Sequence, residues 1–170
     1  MELRDDLILL RPWREDDAGA VYAACQDAQI QRWIPVIPRP YTHQHARAFV
    51  RGEHGLGRHQ FAVEREGEVI GSIGMGVDES KIGRIGYWCA SDARGQGITT
   101  RALRLLCRHA LCELGLERLE LTADPENVAS QRVATKVGFQ REGALRSHQR
   151  HPDGHRRDSV VFSLLPGELR

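Results

Sequence analysis

The 170-residue chain predicts an α/β fold, read as α+β: a run of antiparallel hairpins followed by a βαβα unit. Three observations carry that reading. The stretch "QFAVEREGEVIGSIGMGVDESKIGRIGYWCA" (60–90) is three apolar-rich segments parted by polar turns. Residues 98–114 then repeat apolar side chains at helical spacing, directly after the glycine-rich turn "RGQG". Finally, "LERLELTA" alternates as a strand does and leads into a second helix that opens after Pro125.

Taken in order, "LILLR" (7–11) is an apolar run short enough for a buried strand. From Glu15 to about Asp27, Ala18, Val21, Tyr22 and Cys25 recur every three or four residues, the pattern of an amphipathic helix. Pro35, Pro38 and Pro40 forbid regular helix. "YTHQHARAFV" resumes one, with Thr42 placed to cap it. Strands follow at "QFAVE", "EVIGSIGM" and "IGRIGYWCA", with turns at Glu66–Gly67 and Asp78–Lys81; the glycines of the middle strand predict bulges or close backbone approach. The helix over 98–114 has an apolar stripe of Ala102, Leu105, Leu106, Ala110 and Leu114 and stops at Gly115. The last helix stops at Gly138, and strands at 139–147 and 158–165 close the chain. The total is about seven strands and four helices in a single domain over residues 1–170.

Acids and bases nearly cancel, 23 against 24, so nucleic acid is not the expected partner, since a phosphate backbone demands a basic face. Arg146, Arg150, Arg156 and Arg157 cluster near the C-terminus, either as an anion patch or, the better reading, as a solvated face. The opening "MELRDDLILLRPWRE" lacks the basic-then-apolar pattern of a signal peptide, and no stretch approaches the roughly 18 apolar residues of a membrane span. Cys25, Cys89, Cys107 and Cys112 have neither C-x-x-C nor framework spacing and read as reduced, buried thiols. A cytoplasmic protein with no membrane partner is the expectation. His43 and His45 are spaced i, i+2, and Pro-Asp-Gly parts His151 from His155, so no metal site is expected.

A glycine-rich turn that opens a helix exposes backbone amides where the helix dipole favours an anion, and phosphate is the natural guest. The nucleotide phosphate loop needs Gly-Lys-Ser/Thr, which is absent; a dinucleotide fingerprint needs a third glycine where Thr100 stands. The spacing Arg94-x-x-Gly97-x-Thr99 resembles instead the pyrophosphate-binding signature of the GNAT acetyltransferases, Gln/Arg-x-x-Gly-x-Gly/Ala, with threonine as a small departure at the last position. "NVASQRVATKVGFQREGALR" resembles the stretch that follows the fifth strand in that superfamily, with Asn127, Ser130, Arg132, Val133, Lys136, Gly138, Phe139, Glu142 and Gly143 in place. The opening "LILLRPWREDDAGAVYAAC" and the tail "RRDSVVFSLLPGEL" are similar to the Rim-like branch, the ribosomal-protein N-terminal acetyltransferases and related small-amine enzymes. The resemblance spans nearly the whole chain.

The resemblance implies a central mixed, mostly antiparallel twisted sheet whose fourth and fifth strands, here 84–90 and 116–123, splay apart to admit the pantetheine arm of acetyl-CoA. The backbone of Gly95, Gln96, Gly97, Ile98, Thr99 and Thr100 would wrap the pyrophosphate, with Arg94 and Arg101 adding charge. A backbone N–H near Cys89 and Ala90 would face the thioester carbonyl, and Cys89 is not expected to act as a nucleophile. Asn127 would cap its helix and also bond the pantetheine. The superfamily's acid tyrosine is absent, since its position holds Ala134, and Ser130 is its expected replacement. Glu142 and His148 are candidate bases, although Glu142 equally suits a surface pair with Arg141 or Arg146. Trp33, Ile34, Val36, Ile37 and Tyr41, in the proline-stiffened loop, give an apolar wall for the acceptor, with Trp33 and Tyr41 the expected contacts. The function expected is direct acetyl transfer to a primary amine, foremost a protein N-terminal α-amine. The alternatives are a small-molecule amine (polyamine, amino sugar or antibiotic) and an acyl-CoA-binding module without turnover. A homodimer is expected by resemblance only.

Overall fold

The structure, a computed structural model, describes residues 1–53 and 59–170. Among the described residues, eight strands form one sheet: β1 (Leu3–Arg4), β2 (Leu9–Arg11), β3 (His59–Arg65), β4 (Glu68–Val77), β5 (Ile82–Cys89), β6 (Arg118–Ala123), β7 (Gln140–Arg150) and β8 (Arg156–Leu164). Their spatial order is β1-β2-β3-β4-β5-β6-β8-β7, antiparallel throughout except where β5 meets β6. A parallel pair needs a crossover, and α4 (Ile98–Arg108) supplies it. Its last turn widens into a π-turn at His109–Glu113 before Gly115 ends it at φ +63°. The remaining helices are α1 (Ala18–Cys25), α2 (Ala28–Trp33), α3 (His43–Val50) and α5 (Val128–Val137).

Local chemistry explains most ends. Thr42 Oγ1 accepts the His45 amide at 3.3 Å and starts α3. Asn127 Oδ1 accepts the Ser130 amide at 3.1 Å and starts α5, which Gly138 stops at φ +111°. Two elements depart from expectation. The two-residue β1 adds a strand, so the parted pair is β5 and β6 rather than the fourth and fifth. The short α2 follows α1 after a break at Asp27, whose carboxylate caps it by accepting the Gln29 and Ile30 amides.

Alternation along β5 divides the interior. Tyr87 packs with the main core, where the sheet meets α4 and α5 through Leu103, Leu106, Leu119 and Val137, all shielded from solvent. Trp88 points the other way, into a second cluster built by α1 and α3 from Val21, Cys25, Ala46 and Val50. Beneath that cluster, buried Arg11 donates to Asp17 at 2.7 and 2.9 Å and to Glu64 at 2.5 Å, which ties β2 to β3 and to the start of α1. No helix among the described residues is long and apolar enough to cross a membrane.

Candidate active site

β5 and β6 pair from Ile82↔Arg118 to Ile85↔Leu121 and then separate, while β5 stays paired to β4 as far as Cys89↔Gly71. One backbone edge of Gly86–Cys89 is therefore without a neighbouring strand. The Ala90 amide donates to Ile70 O at 3.0 Å, towards β4. Successive amides of a strand point to opposite edges, so it is the Cys89 N–H that faces the gap, and Ala90 is corrected out of the donor role.

The glycine turn lies just beyond. Gly95 and Gly97 hold φ of +75° and +76°, the left-handed region where only glycine is unstrained, and a Cβ on either would meet no atom within 4 Å. The first backbone bond of α4 runs from the Arg101 amide to Gly97 O at 3.1 Å, and among the described residues no side chain caps the helix. The amides of Gly97, Ile98, Thr99 and Thr100 thus lie ahead of the hydrogen-bonded ladder. Ile98 is buried and anchors the turn, while Gln96 braces it by donating to Asp92 O at 2.8 Å and accepting from Arg65 at 2.7 Å.

Two arginines expected at this turn are committed elsewhere. Arg94 donates to Cys89 O at 3.1 Å, to Gln29 at 3.1 Å and to Asp27 at 2.8 Å, lashing the turn to the start of α2. Arg101 pairs with Asp5 at 2.8 Å and Asp6 at 2.7 Å. Cys89 is half-buried and hydrogen-bonded to Thr99; burial pushes its thiol up, so it stays protonated and is a poor nucleophile.

A cavity of about 590 Å³ opens at the strand gap. Tyr87 and Trp88 line it from β5, Asp124 from the end of β6, and Asn127 and Ser130 from α5. Trp33, Ile34, Val36, Ile37 and Tyr41 of the proline loop line it as well. Tyr41 is buried and hydrogen-bonded to Cys25, and the Trp33 ring lies 4.5 Å from the Arg32 guanidinium carbon.

The Ser130 hydroxyl lies 2.9 Å from the Tyr87 hydroxyl. Burial pushes the tyrosine up to about 12, with that hydrogen bond acting in the opposite direction, so the phenol is protonated at neutral pH. Tyr87 escaped the sequence reading because an aromatic in a strand reads as core; only the fold brings it to Ser130.

Glu142 belongs elsewhere. Arg118 donates to it at 2.6 and 2.9 Å and the Ser163 hydroxyl at 2.6 Å, which holds the carboxylate down to about 2. It is absent from the cavity wall and is too weak a base at neutral pH, so that expectation is corrected; its partner is Arg118, not Arg141 or Arg146. His148 bonds the Ser159 hydroxyl at 2.9 Å and is not in the wall either. The C-terminal arginines do not act as one patch. Arg156 binds the Ser147 and His148 carbonyls, and Arg157 turns inward to Asp124 at 2.7 Å.

Residues 8–140 match the acetyltransferase (GNAT) domain family. Among relatives, the uncharacterised N-acetyltransferase p20 of Bacillus licheniformis is 28% identical over 174 residues, 98% of this chain and 97% of its own. The ribosomal-protein-serine acetyltransferase of Escherichia coli K12 is 35% identical over 88 residues, 51% of this chain and 49% of its own. Spermidine N(1)-acetyltransferase of the same organism is 25% identical over 161 residues, 93% of this chain and 86% of its own. The solved structure of Mycobacterium smegmatis RimJ in complex with CoA-disulfide is similar at a TM-score of 0.83 and 30% identity, covering 99% of this chain and 87% of that one. Because the matched span includes the parted strands, the glycine turn and Ser130, the chain belongs to the GNAT family of N-acetyltransferases, in its Rim-like branch.

Proposed function

We propose that this acetyltransferase moves acetyl directly from acetyl-CoA to a primary amine in a ternary complex, and that the acceptor is a protein N-terminal α-amine. The observation that carries this is the parting of β5 from β6 after Ile85 and Leu121, which opens the cavity beside the uncapped start of α4.

The residues fit the donor. The amides from Gly97 to Thr100 would hold its pyrophosphate, as bare amides at a helix start favour an anion. The unpaired edge of β5 would take the pantetheine arm, and the Cys89 N–H would face the acyl oxygen, where one such donor is worth about 3 kcal/mol. Acetyl-CoA supplies an activated acyl group on a thiol of cysteine-like acidity, near pKa 8.5, so only weak help for the leaving sulfur is required. The Tyr87 and Ser130 hydroxyls lie 2.9 Å apart, close enough to share a hydrogen bond in either direction; with the phenol as donor, the serine's own hydrogen would be free for the departing sulfur. Asn127 caps α5 through its Oδ1 and holds that serine in place.

No dedicated base is assigned. An α-amine titrates near 8 and is partly neutral at physiological pH, whereas a lysine amine near 10.4 is not, so water suffices for the former. A polyamine or other small amine is the second reading, favoured by the near-full-length similarity to a spermidine acetyltransferase. Thiol release from acetyl-CoA, measured with a pool of N-terminal peptides and separately with small amines, tests both. Release with the peptides alone is the expected result; release with small amines alone replaces the first reading with the second.

A further inference from the structure

Beside the acceptor cavity lies a second recess of about 410 Å³, walled by Ala28, Gln31, Arg32, Arg39, Arg157 and the rings of His151 and His155. His151 and Arg157 belong to both walls, so the two spaces adjoin. Their described ionisable groups differ. The larger cavity includes two carboxylates, Asp124 and Asp158, whereas every ionisable side chain in the recess wall is an arginine or a histidine.

The carboxylates around the recess do not close it. Arg157 forms part of the wall but is spent: it pairs with Asp124 at 2.7 Å from the cavity side and donates to His151 Nε2 at 2.7 Å and to the Arg32 carbonyl. Arg32 pairs with Glu126 at 2.6 Å, but both partners are more than half exposed, and such surface pairs exchange readily. Asp153 is taken up by His155, at 2.5 Å. Arg39 bonds the Gln31 carbonyl and has no carboxylate in any ion pair of the described residues. The surroundings act on buried His151 in the same sense: burial, then Arg157, His155 and Arg39 lower its affinity for a proton, with only Asp153 opposing.

We infer that Arg32 and Arg39 in this recess receive an anionic group of the acceptor, so that the preferred substrate is an amine followed closely by carboxylates, an acidic N-terminus rather than a polyamine. This rests on the acetyltransfer reading above and deepens it. Arginine forks match carboxylate geometry, and a cation such as spermidine meets the guanidinium groups of Arg32 and Arg39 there instead of a partner.

The test uses three tetrapeptides that differ only at the second and third residues: Ser-Asp-Asp-Ala, Ser-Gln-Gln-Ala and Ser-Lys-Lys-Ala. The acidic peptide is expected to exceed the neutral one in kcat/KM by about tenfold, with the basic one lowest. Arg39→Glu should collapse or invert that order; because the readout is a ratio within one variant, a general loss of folded protein does not imitate it. Free aspartate as a fourth acceptor separates a peptide source of the anion from a small-molecule one, and turnover of either over its uncharged counterpart supports the recess. Equal kcat/KM for the three peptides, or an order unmoved by Arg39→Glu, overturns the inference while leaving acetyl transfer intact. Calorimetric titration of the N-acetylated peptides into the CoA-loaded protein needs no turnover. Tighter binding of the acidic product supports the recess even if all three peptides are poor acceptors, and equal binding overturns it.

Discussion

Tyr87 and Ser130 meet hydroxyl to hydroxyl at 2.9 Å, one on the strand that leaves β6 and the other in the first turn of α5. The Tyr87 hydroxyl also lies 3.4 Å from the Ser130 carbonyl, so both of its hydrogen bonds run to that one residue and pair the two groups. That pairing makes the roles separable. Ser130→Ala removes the donor to sulfur and should lower kcat by about 10²-fold, the lower end for positioned proton donors. Tyr87→Phe removes only the bond that orients the serine and should cost about three- to tenfold. In both variants the KM for acetyl-CoA should stay near that of the parent. Steady-state kinetics with the best acceptor checks this, and unchanged kcat in Ser130→Ala would remove the serine from the mechanism.

The pH profile should belong to the acceptor. For an α-amine, kcat/KM should rise about tenfold per unit below its pKa, which lies near 8, and then level off. The alkaline side should stay flat to about pH 10, because burial keeps the Tyr87 proton on until about 12. Profiles for one peptide and one lysine-like amine, measured side by side, should differ by the difference of the two amine pKa values. A shared acidic limb would reveal an enzyme base instead.

Gly97→Glu should weaken acetyl-CoA binding by more than about 100-fold, since it puts a carboxylate beside the amides meant for pyrophosphate. An added Cβ meets no neighbour within 4 Å, so the expected cost to the fold is that of a left-handed non-glycine residue, about 1–2 kcal/mol. Isothermal titration with a thermal melt separates the two effects. Retained micromolar affinity in a folded variant would place the pyrophosphate elsewhere.

Acid should destabilise the fold through carboxylates that folding makes more acidic. For Asp17, burial works in the raising direction, but hydrogen bonds from Arg11 and the Arg14 amide outweigh it. Glu142 is held at about 2 by Arg118 and then Ser163. In each case the folded pKa lies below the unfolded one, so the stabilisation is complete above the unfolded values near 4 and drains as pH falls towards 2. Urea midpoints at pH 7, 4 and 3 should decline in that order. Asp17→Ala leaves Arg11 with one buried partner fewer and should cost about 3 kcal/mol or more at pH 7.

Features carried by neighbours in the chain were legible from the start. Thr42, Asn127, Gly115 and Gly138 mark helix ends because each acts within a few residues of itself. The α2 helix was hidden by its shortness: six residues, capped by Asp27, lie just ahead of the three prolines that dominate the reading of that loop. The arginines misled for the opposite reason. Arg94 looked free for phosphate because Asp27 stands 67 residues away, and Glu142 looked like a base because Arg118 stands 24 residues away.

The strand, turn and helix pattern, the glycine turn with its bare amides, and the family were thus written into local spacing, where propensity and backbone geometry act over a turn or two. The chemistry of the site was settled by partners distant in the chain. Tyr87 reaches Ser130 over 43 residues, Arg157 reaches Asp124 across the last three elements, and the gap itself exists because β5 follows β4 while β6 follows β8. Charge and hydrogen bonding depend on distance in space, and the separation of two residues along a chain does not report it until the sheet has closed.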